Sequence, residues 1–154
     1  MITAIVSGGQ TGADQAGWRA AKRLGLKTAG YMPQGYRTEA GAMPHFAQGY
    51  HAVACDTPDY KTRTELNVDI STGTVIFGNH SPGSDLTKQC CLDAGKPWLW
   101  LKEYQSANAH ACFRLWAERN HITILNVAGN RESKARGIGL AVERFLVEVI
   151  PTCR

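Results

Sequence analysis

Three stretches of the chain share one rhythm: a short apolar run, a loop of small polar residues, then apolar positions spaced for one helix face. The first opens with Ile2 to Ser7 and passes through Gly8-Gly9-Gln10-Thr11-Gly12. Apolar or small residues at Ala13, Ala16, Gly17, Ala20, Ala21 and Leu24 then predict a helix from Ala13 to Leu24. Lys22 and Arg23 complement the negative end of its dipole, and Gly25 is a natural stop.

The second stretch runs from Thr74 to Gly78, through Asn79-His80-Ser81-Pro82-Gly83-Ser84, and predicts a helix over 85–94 that Gly95 and Pro97 close. The third has Ile122 to Val127, a loop from Ala128 to Arg136, and a helical stripe through Ile138, Ala141, Val142, Phe145, Leu146 and Val149. Between them, Pro97 to Leu101 predicts a buried strand and Ser106 to Arg119 a further helix. The stretch from Tyr31 to Tyr60, broken by Pro33, Gly35, Gly41, Pro44, Gly49 and Pro58, reads mainly as loop.

Apolar strands alternating with amphipathic helices imply an α/β fold, a mostly parallel sheet covered on both faces. In such folds the strand-to-helix loops gather at the carboxyl edge of the sheet, where ligands bind. No repeat or linker divides residues 1–154, so one domain is expected. Trp18, on the otherwise polar side of the first helix, suggests either a contact surface, as a homo-oligomer would have, or a single exposed tryptophan.

Composition narrows the classes. With 44% hydrophobic and 19% charged residues the chain is too apolar for disorder, and no apolar run is long enough to span a membrane. Met1 to Val6 lacks the length and basic flank of a signal peptide, and five cysteines without paired spacing fit a reducing compartment, so a cytoplasmic protein is expected. Lys and Arg number 17 against 13 Asp and Glu, a net charge of +4. That permits an anionic ligand, while the absence of a dense basic stripe interleaved with aromatics argues against nucleic acid. The basic residues cluster only at Arg131, Lys134 and Arg136.

The three loops carry the candidate chemistry. Glycines after a strand let the backbone turn sharply and approach a ligand, and helix-start amides then face an anion. Gly8, Gly9, Gln10, Thr11 and Gly12 are therefore candidate ligand contacts, with Asp14 beside them. The spacing matches neither G-x-G-x-x-G nor the P-loop. A capping box with Thr11 as N-cap and Asp14 three residues on explains the same residues and is compatible with anion binding. In the second loop Asn79, Gly83, Ser84 and Thr87 are candidates: Ser84 or Asp85 as cap, Thr87 on the first turn within reach of a phosphate oxygen. In the third, Asn126, Gly129, Arg131 and Ser133 add hydrogen-bonding groups and a guanidinium able to grip phosphate with two bonds. Arg37 and Arg63 are read as loop residues, and Arg63, with Thr62, Thr64 and Asn67 beside it, is a further candidate ligand contact.

Other chemistry finds little support. Cys90 and Cys91, adjacent on a helix, point about 100° apart and read as packed thiols. His45, His51, His80, His110 and His121 lack zinc-site spacing, with only His80 near the loops, and there is no G-x-S-x-G elbow. No catalytic or metal-ligating residue is assigned.

Gly8 to Asp14, Tyr31-Met32-Pro33-Gln34-Gly35 and Asn126 to Ser133 together resemble the molybdenum carrier family, described also as circularly permuted YpsA-like. Its superfamily includes the lysine decarboxylase-like phosphoribohydrolases. The resemblance spans nearly the whole chain. It implies a Rossmann-like three-layer α/β/α domain, commonly oligomeric, that carries molybdenum cofactor or another nucleotide-like anion without transforming it. A molybdoenzyme or a cofactor-synthesis protein is the implied partner. The cofactor bears a phosphate on a pterin dithiolene, which helix-start amides and arginines would suit. The family pattern carries over onto Gly8, Gly9, Gln10, Thr11, Gly12, Asn126, Gly129, Arg131 and Ser133.

The enzyme branch supplies the alternative, a nucleoside-monophosphate phosphoribohydrolase; a nucleotide-sensing module is a further one. Its P-G-G-x-G-T-x-x-E motif overlies Pro82 to Cys90, where Pro82, Gly83 and Thr87 match. Ser84 and Leu86 replace two glycines, and Cys90 stands at the glutamate, which counts against glycoside cleavage unless Asp14, Asp85 or Glu132 has taken over.

Overall fold

The computed structural model describes residues 1–154. In chain order the elements are β1 (Ala4–Ser7), α1 (Ala13–Leu24), β2 (Lys27–Met32), β3 (Arg37–Thr38), β4 (Gly41–Ala42), α2 (Phe46–Tyr50), β5 (Ala52–Ala54), α3 (Tyr60–Ile70), β6 (Gly73–Phe77), α4 (Pro82–Ala94), β7 (Trp98–Leu101), α5 (Ala109–Arg119), β8 (Ile124–Gly129) and α6 (Ile138–Val149). Six strands form one parallel sheet in the order β5-β2-β1-β8-β6-β7, and β3 and β4 make a separate antiparallel hairpin. This is a Rossmann-like α/β arrangement. No helix is long and apolar enough to cross a membrane.

The strand order explains where helices sit. Successive strands step outward from β1 to β2 and, in the opposite direction, from β6 to β7, so right-handed crossovers put α1 and α4 on opposite faces. On the α1 face, Ala16 and Ala20 of α1, Phe113 of α5, and Val142, Phe145 and Leu146 of α6 form one core with Val75, Phe77, Leu125 and Val127 of the sheet. On the other face Val68 of α3 packs with Cys90 and Cys91 of α4, which confirms both cysteines as core thiols. Register aligns Ser7 of β1 and Val75 of β6 with Val127 of β8. The loops after these three strands therefore leave from one edge, where the chain changes direction across the sheet.

Several elements depart from the sequence reading. The stretch from Tyr31 to Tyr60 holds β5, α2 and the hairpin as well as the end of β2. These pieces are two to five residues long, too short to show a period. Arg63 lies on helix α3 rather than in a loop. That helix shows no apolar period because its buried positions include the polar residues Thr64 and Asn67. The Asn67 amide holds β2 from outside the sheet: Oδ1 accepts from Tyr31 N at 2.7 Å and Nδ2 donates to Tyr31 O at 3.0 Å. β7 is an edge strand, half-buried rather than buried. Trp18 is not a surface contact: it is wholly buried, stacked on Tyr50 of α2 at 4.9 Å, and its Nε1 donates to Ala29 O.

Candidate functional site

A cleft of about 440 Å³ opens at the carboxyl ends of β1 and β8, bounded by α3 and the first turns of α4. Of the residues singled out in the sequence, Gly8, Gln10, Asp14, Arg63, Gly83, Thr87, Asn126, Gly129 and Arg131 line it. Gly9, Thr11, Gly12, Asn79, Ser84 and Ser133 do not. Tyr60, Thr64 and Asn67 of α3, Leu86 of α4, and Asn130 and Lys134 complete much of the wall. Their signal in the sequence was partial. Thr64 and Asn67 stood beside Arg63 and Lys134 belonged to the basic cluster, but Tyr60 and Leu86 announce nothing without the fold.

At the floor, Arg63 Nη1 lies 3.1 Å from Asp14 Oδ2, and both side chains are nearly enclosed. Asp14 Oδ2 also accepts from Gln10 N at 3.2 Å. Burial pushes the Asp14 carboxyl above its ordinary value, although the Arg63 charge and hydrogen bond pull the other way. Gln10 is pinned by its oxygen, which accepts from Thr11 N at 3.0 Å and from Glu39 N at 2.9 Å. That assignment leaves Nε2 as the free end. Gln10 Nε2 and Arg63 Nε are both buried and have no hydrogen-bond partner. Each unmet buried donor costs about 1–3 kcal/mol, a cost a ligand acceptor would remove.

The loop donors behave differently from the expected cradle. Gly12 has φ +81, and a Cβ there would stand 2.4 Å from Asn130 O, so the glycine admits a neighbouring loop rather than a ligand. Ala13 N donates to Asn130 O and Gln15 N to Gln10 O, so the protein itself takes up these helix-start amides. Thr11 is not the N-cap of α1: Gly12 holds that position with no side-chain cap. The Thr11 hydroxyl instead donates to Glu39 and accepts from Glu132 N. Ser133 donates to Glu39 through its amide, at 3.1 Å, and through its hydroxyl. Arg131 Nη1 stands 3.9 Å from Glu39 Oε2. Desolvation works to raise the Glu39 carboxyl, but these donors and the Arg131 charge outweigh it and hold the group below its ordinary value. Nothing in the sequence marked Glu39, because its partners lie 28 and 94 residues away.

At α4 the cap is Ser81, ahead of both expected candidates, Ser84 and Asp85; its Oγ accepts from Ser84 N at 3.1 Å. Pro82 has no N–H to place, and open space faces Gly83. Thr87 sits on the second turn, not the first, and its hydroxyl donates to Gly83 O. Asn79 turns from the cleft, its N–H and C=O held by the Asn130 side chain at 2.8 and 2.9 Å. His80 pairs with Asp85 and Lys102 outside the cleft.

The charge in the cleft comes from Arg63, Arg131 and the exposed Lys134 against Asp14, an excess of cations. The guanidiniums of Arg63 and Arg131 lie 5.2 and 6.0 Å from the Tyr60 ring centre. No group of three or more His, Cys, Asp or Glu side chains is placed to hold a metal ion.

Residues 5–150 match the family model described as the circularly permutated YpsA SLOG family. The chain belongs to this family. It is also similar to a solved structure, the "Putative molybdenum carrier protein" of Syntrophus aciditrophicus SB, at 36% identity and a TM-score of 0.88. The alignment covers 96% of this chain and 94% of that one. No protein of curated function matches. The residues compared with the enzyme-branch motif lie in different surroundings. Cys90 is buried against Val68 and Cys91, and desolvation pushes its thiol up to about 11. Asp85 pairs with His80 at the surface, and Glu132 accepts from Gly137 N and Gly139 N at the start of α6. Of the three substitute carboxylates, Asp14 alone lines the cleft.

Proposed function

We propose that this protein binds a phosphate-bearing small molecule in the cleft and carries it unchanged, with molybdenum cofactor as the cargo. The observation that carries the reading is the pair of buried, unpartnered donors, Gln10 Nε2 and Arg63 Nε, on residues that line a cation-rich cleft. Such a wall favours a guest rich in acceptors and negative charge. The relative described as a molybdenum carrier supports the choice of cargo. With no side-chain cluster suited to a bare ion, the cargo would be gripped through its phosphate and ring system rather than at the metal. Carriage also suits Asp14, whose carboxylate is tied to Arg63 and Gln10 N and is poorly placed to attack.

The test is copurification followed by mass spectrometry and metal analysis, with isothermal titration of the apo protein against molybdenum cofactor and nucleoside monophosphates. Binding of a phosphate-bearing ligand is expected; its absence throughout would remove the reading. One observation favours a second reading, phosphoribohydrolase activity: Asp14 is a cleft carboxyl raised above its ordinary value. Release of free base from AMP, lost in Asp14→Asn, would establish that reading instead.

A further inference from the structure

Beside the cleft, a carboxylate of the chain itself occupies a ready-made anion site. Glu39 sits at the tip of the β3–β4 hairpin, a two-residue turn between two-residue strands. Its carboxylate receives the Thr11 hydroxyl and the Ser133 amide and hydroxyl, and faces Arg131. Three hydrogen-bond donors and a guanidinium from two loops thus converge on one carboxylate, the donor set that a phosphate oxygen cluster takes. Arg131 also lines the cleft, so the Glu39 contacts and the cleft share one cation.

We propose that Glu39 is a resident stand-in for the ligand's phosphate. The incoming phosphate takes over Thr11, Ser133 and Arg131, and the hairpin tip swings away. This rests on the reading of the cleft as a site for a phosphate-bearing molecule.

Two features make the exchange feasible. Apart from the carboxylate contacts, the Glu39 tip is held to the rest of the chain by one hydrogen bond, Glu39 N to Gln10 Oε1. Thr38 Oγ1 bonds only within the hairpin, to Gly41 O and from Ala40 N. Breaking the Glu39 N bond leaves Thr11 N as the one partner of the Gln10 oxygen, so the amide loosens and its unpartnered Nε2 is freer to meet an acceptor on the guest. The Glu39 carboxylate is also the better leaving group of the two anions, since phosphate carries more charge and more acceptor oxygens toward Arg131. Thr11 and Ser133, which the cleft wall omits, become ligand contacts only in the exchanged state.

The experiment compares the full chain with Glu39→Ala and Glu39→Gln, using inorganic phosphate, AMP and adenosine as probes. Affinity is read by titration calorimetry and contacts by amide chemical shifts. Glu39→Ala is expected to bind phosphate and AMP about tenfold more tightly than the parent. Adenosine should show no gain, and the Ser133 and Thr11 amides should shift on phosphate addition. Glu39→Gln keeps the hairpin's shape while removing the charge, and is expected to fall between the two. Equal or weaker phosphate binding by both folded variants overturns the inference, as do shifts confined to Gly83 and its neighbours. In those cases the cleft reading stands. Binding of neither phosphate nor AMP by any of the three proteins overturns both.

Discussion

The Arg63 guanidinium lies so close over Gly8 that a Cβ on that glycine would stand 1.4 Å from Nη1. The glycine that opens the first loop therefore serves an ion pair. Without a side chain at position 8, Arg63 of α3 reaches across the end of β1 to Asp14 of α1, tying helices from opposite faces of the sheet at the cleft floor.

Gly8→Ala is expected to push Arg63 off Asp14 and leave a buried carboxylate short of one partner. Stability should fall by about 1–3 kcal/mol, measured by urea unfolding, with a matching loss of phosphate-ligand affinity. Unchanged stability would mean that the pair survives by moving as a unit.

Gly12→Val should act on folding first. The site requires positive φ, and the new side chain would meet the Asn130 and Glu132 backbones, which cannot step aside as a flexible side chain can. Strain and overpacking together predict a loss of about 2–6 kcal/mol, read as the urea midpoint.

Arg131→Ala should weaken a phosphate-bearing ligand by about 1.5–3 kcal/mol in titration calorimetry, since it removes a charged hydrogen-bond donor. Lys134→Ala, at an exposed position, should cost under about 1 kcal/mol, and that loss should shrink further as salt is raised.

Glu39 gives a pH signature of definite sign. Its folded carboxyl lies below the ordinary 4.5, so the stability it contributes is present above that value and is lost as pH falls through the folded pKa. The parent should exceed Glu39→Gln in stability at neutral pH, and the gap should close in acid. Asp14 runs the other way. Its folded carboxyl lies above 3.8, so its contribution is present below that value and fades as pH rises through the folded pKa. Asp14→Asn resembles the protonated carboxyl, so it should match the parent in acid and exceed it in stability as pH rises toward neutrality.

The amino-acid pattern alone determined the repeating strand–loop–helix units and, through them, the parallel sheet and the edge at which its loops meet. The residues from Ala13 to Leu24 and from Ile138 to Val149 announce their helices because the apolar period and the buried face coincide. The same logic failed for α3, where Thr64 and Asn67 are buried because they line a cleft and brace β2, a use of burial that hydrophobicity does not record. It failed for Trp18, whose cover is a five-residue helix too short to carry a period. Which donors face the cleft, and which are already taken, was decided by tertiary structure. Thr11 and Ser133 carry the chemistry the sequence suggested, but a glutamate distant in the chain reached them first. Local pattern sets what each segment can become, whereas the pairing of charges and donors across the sheet edge depends on distances that only the folded chain defines.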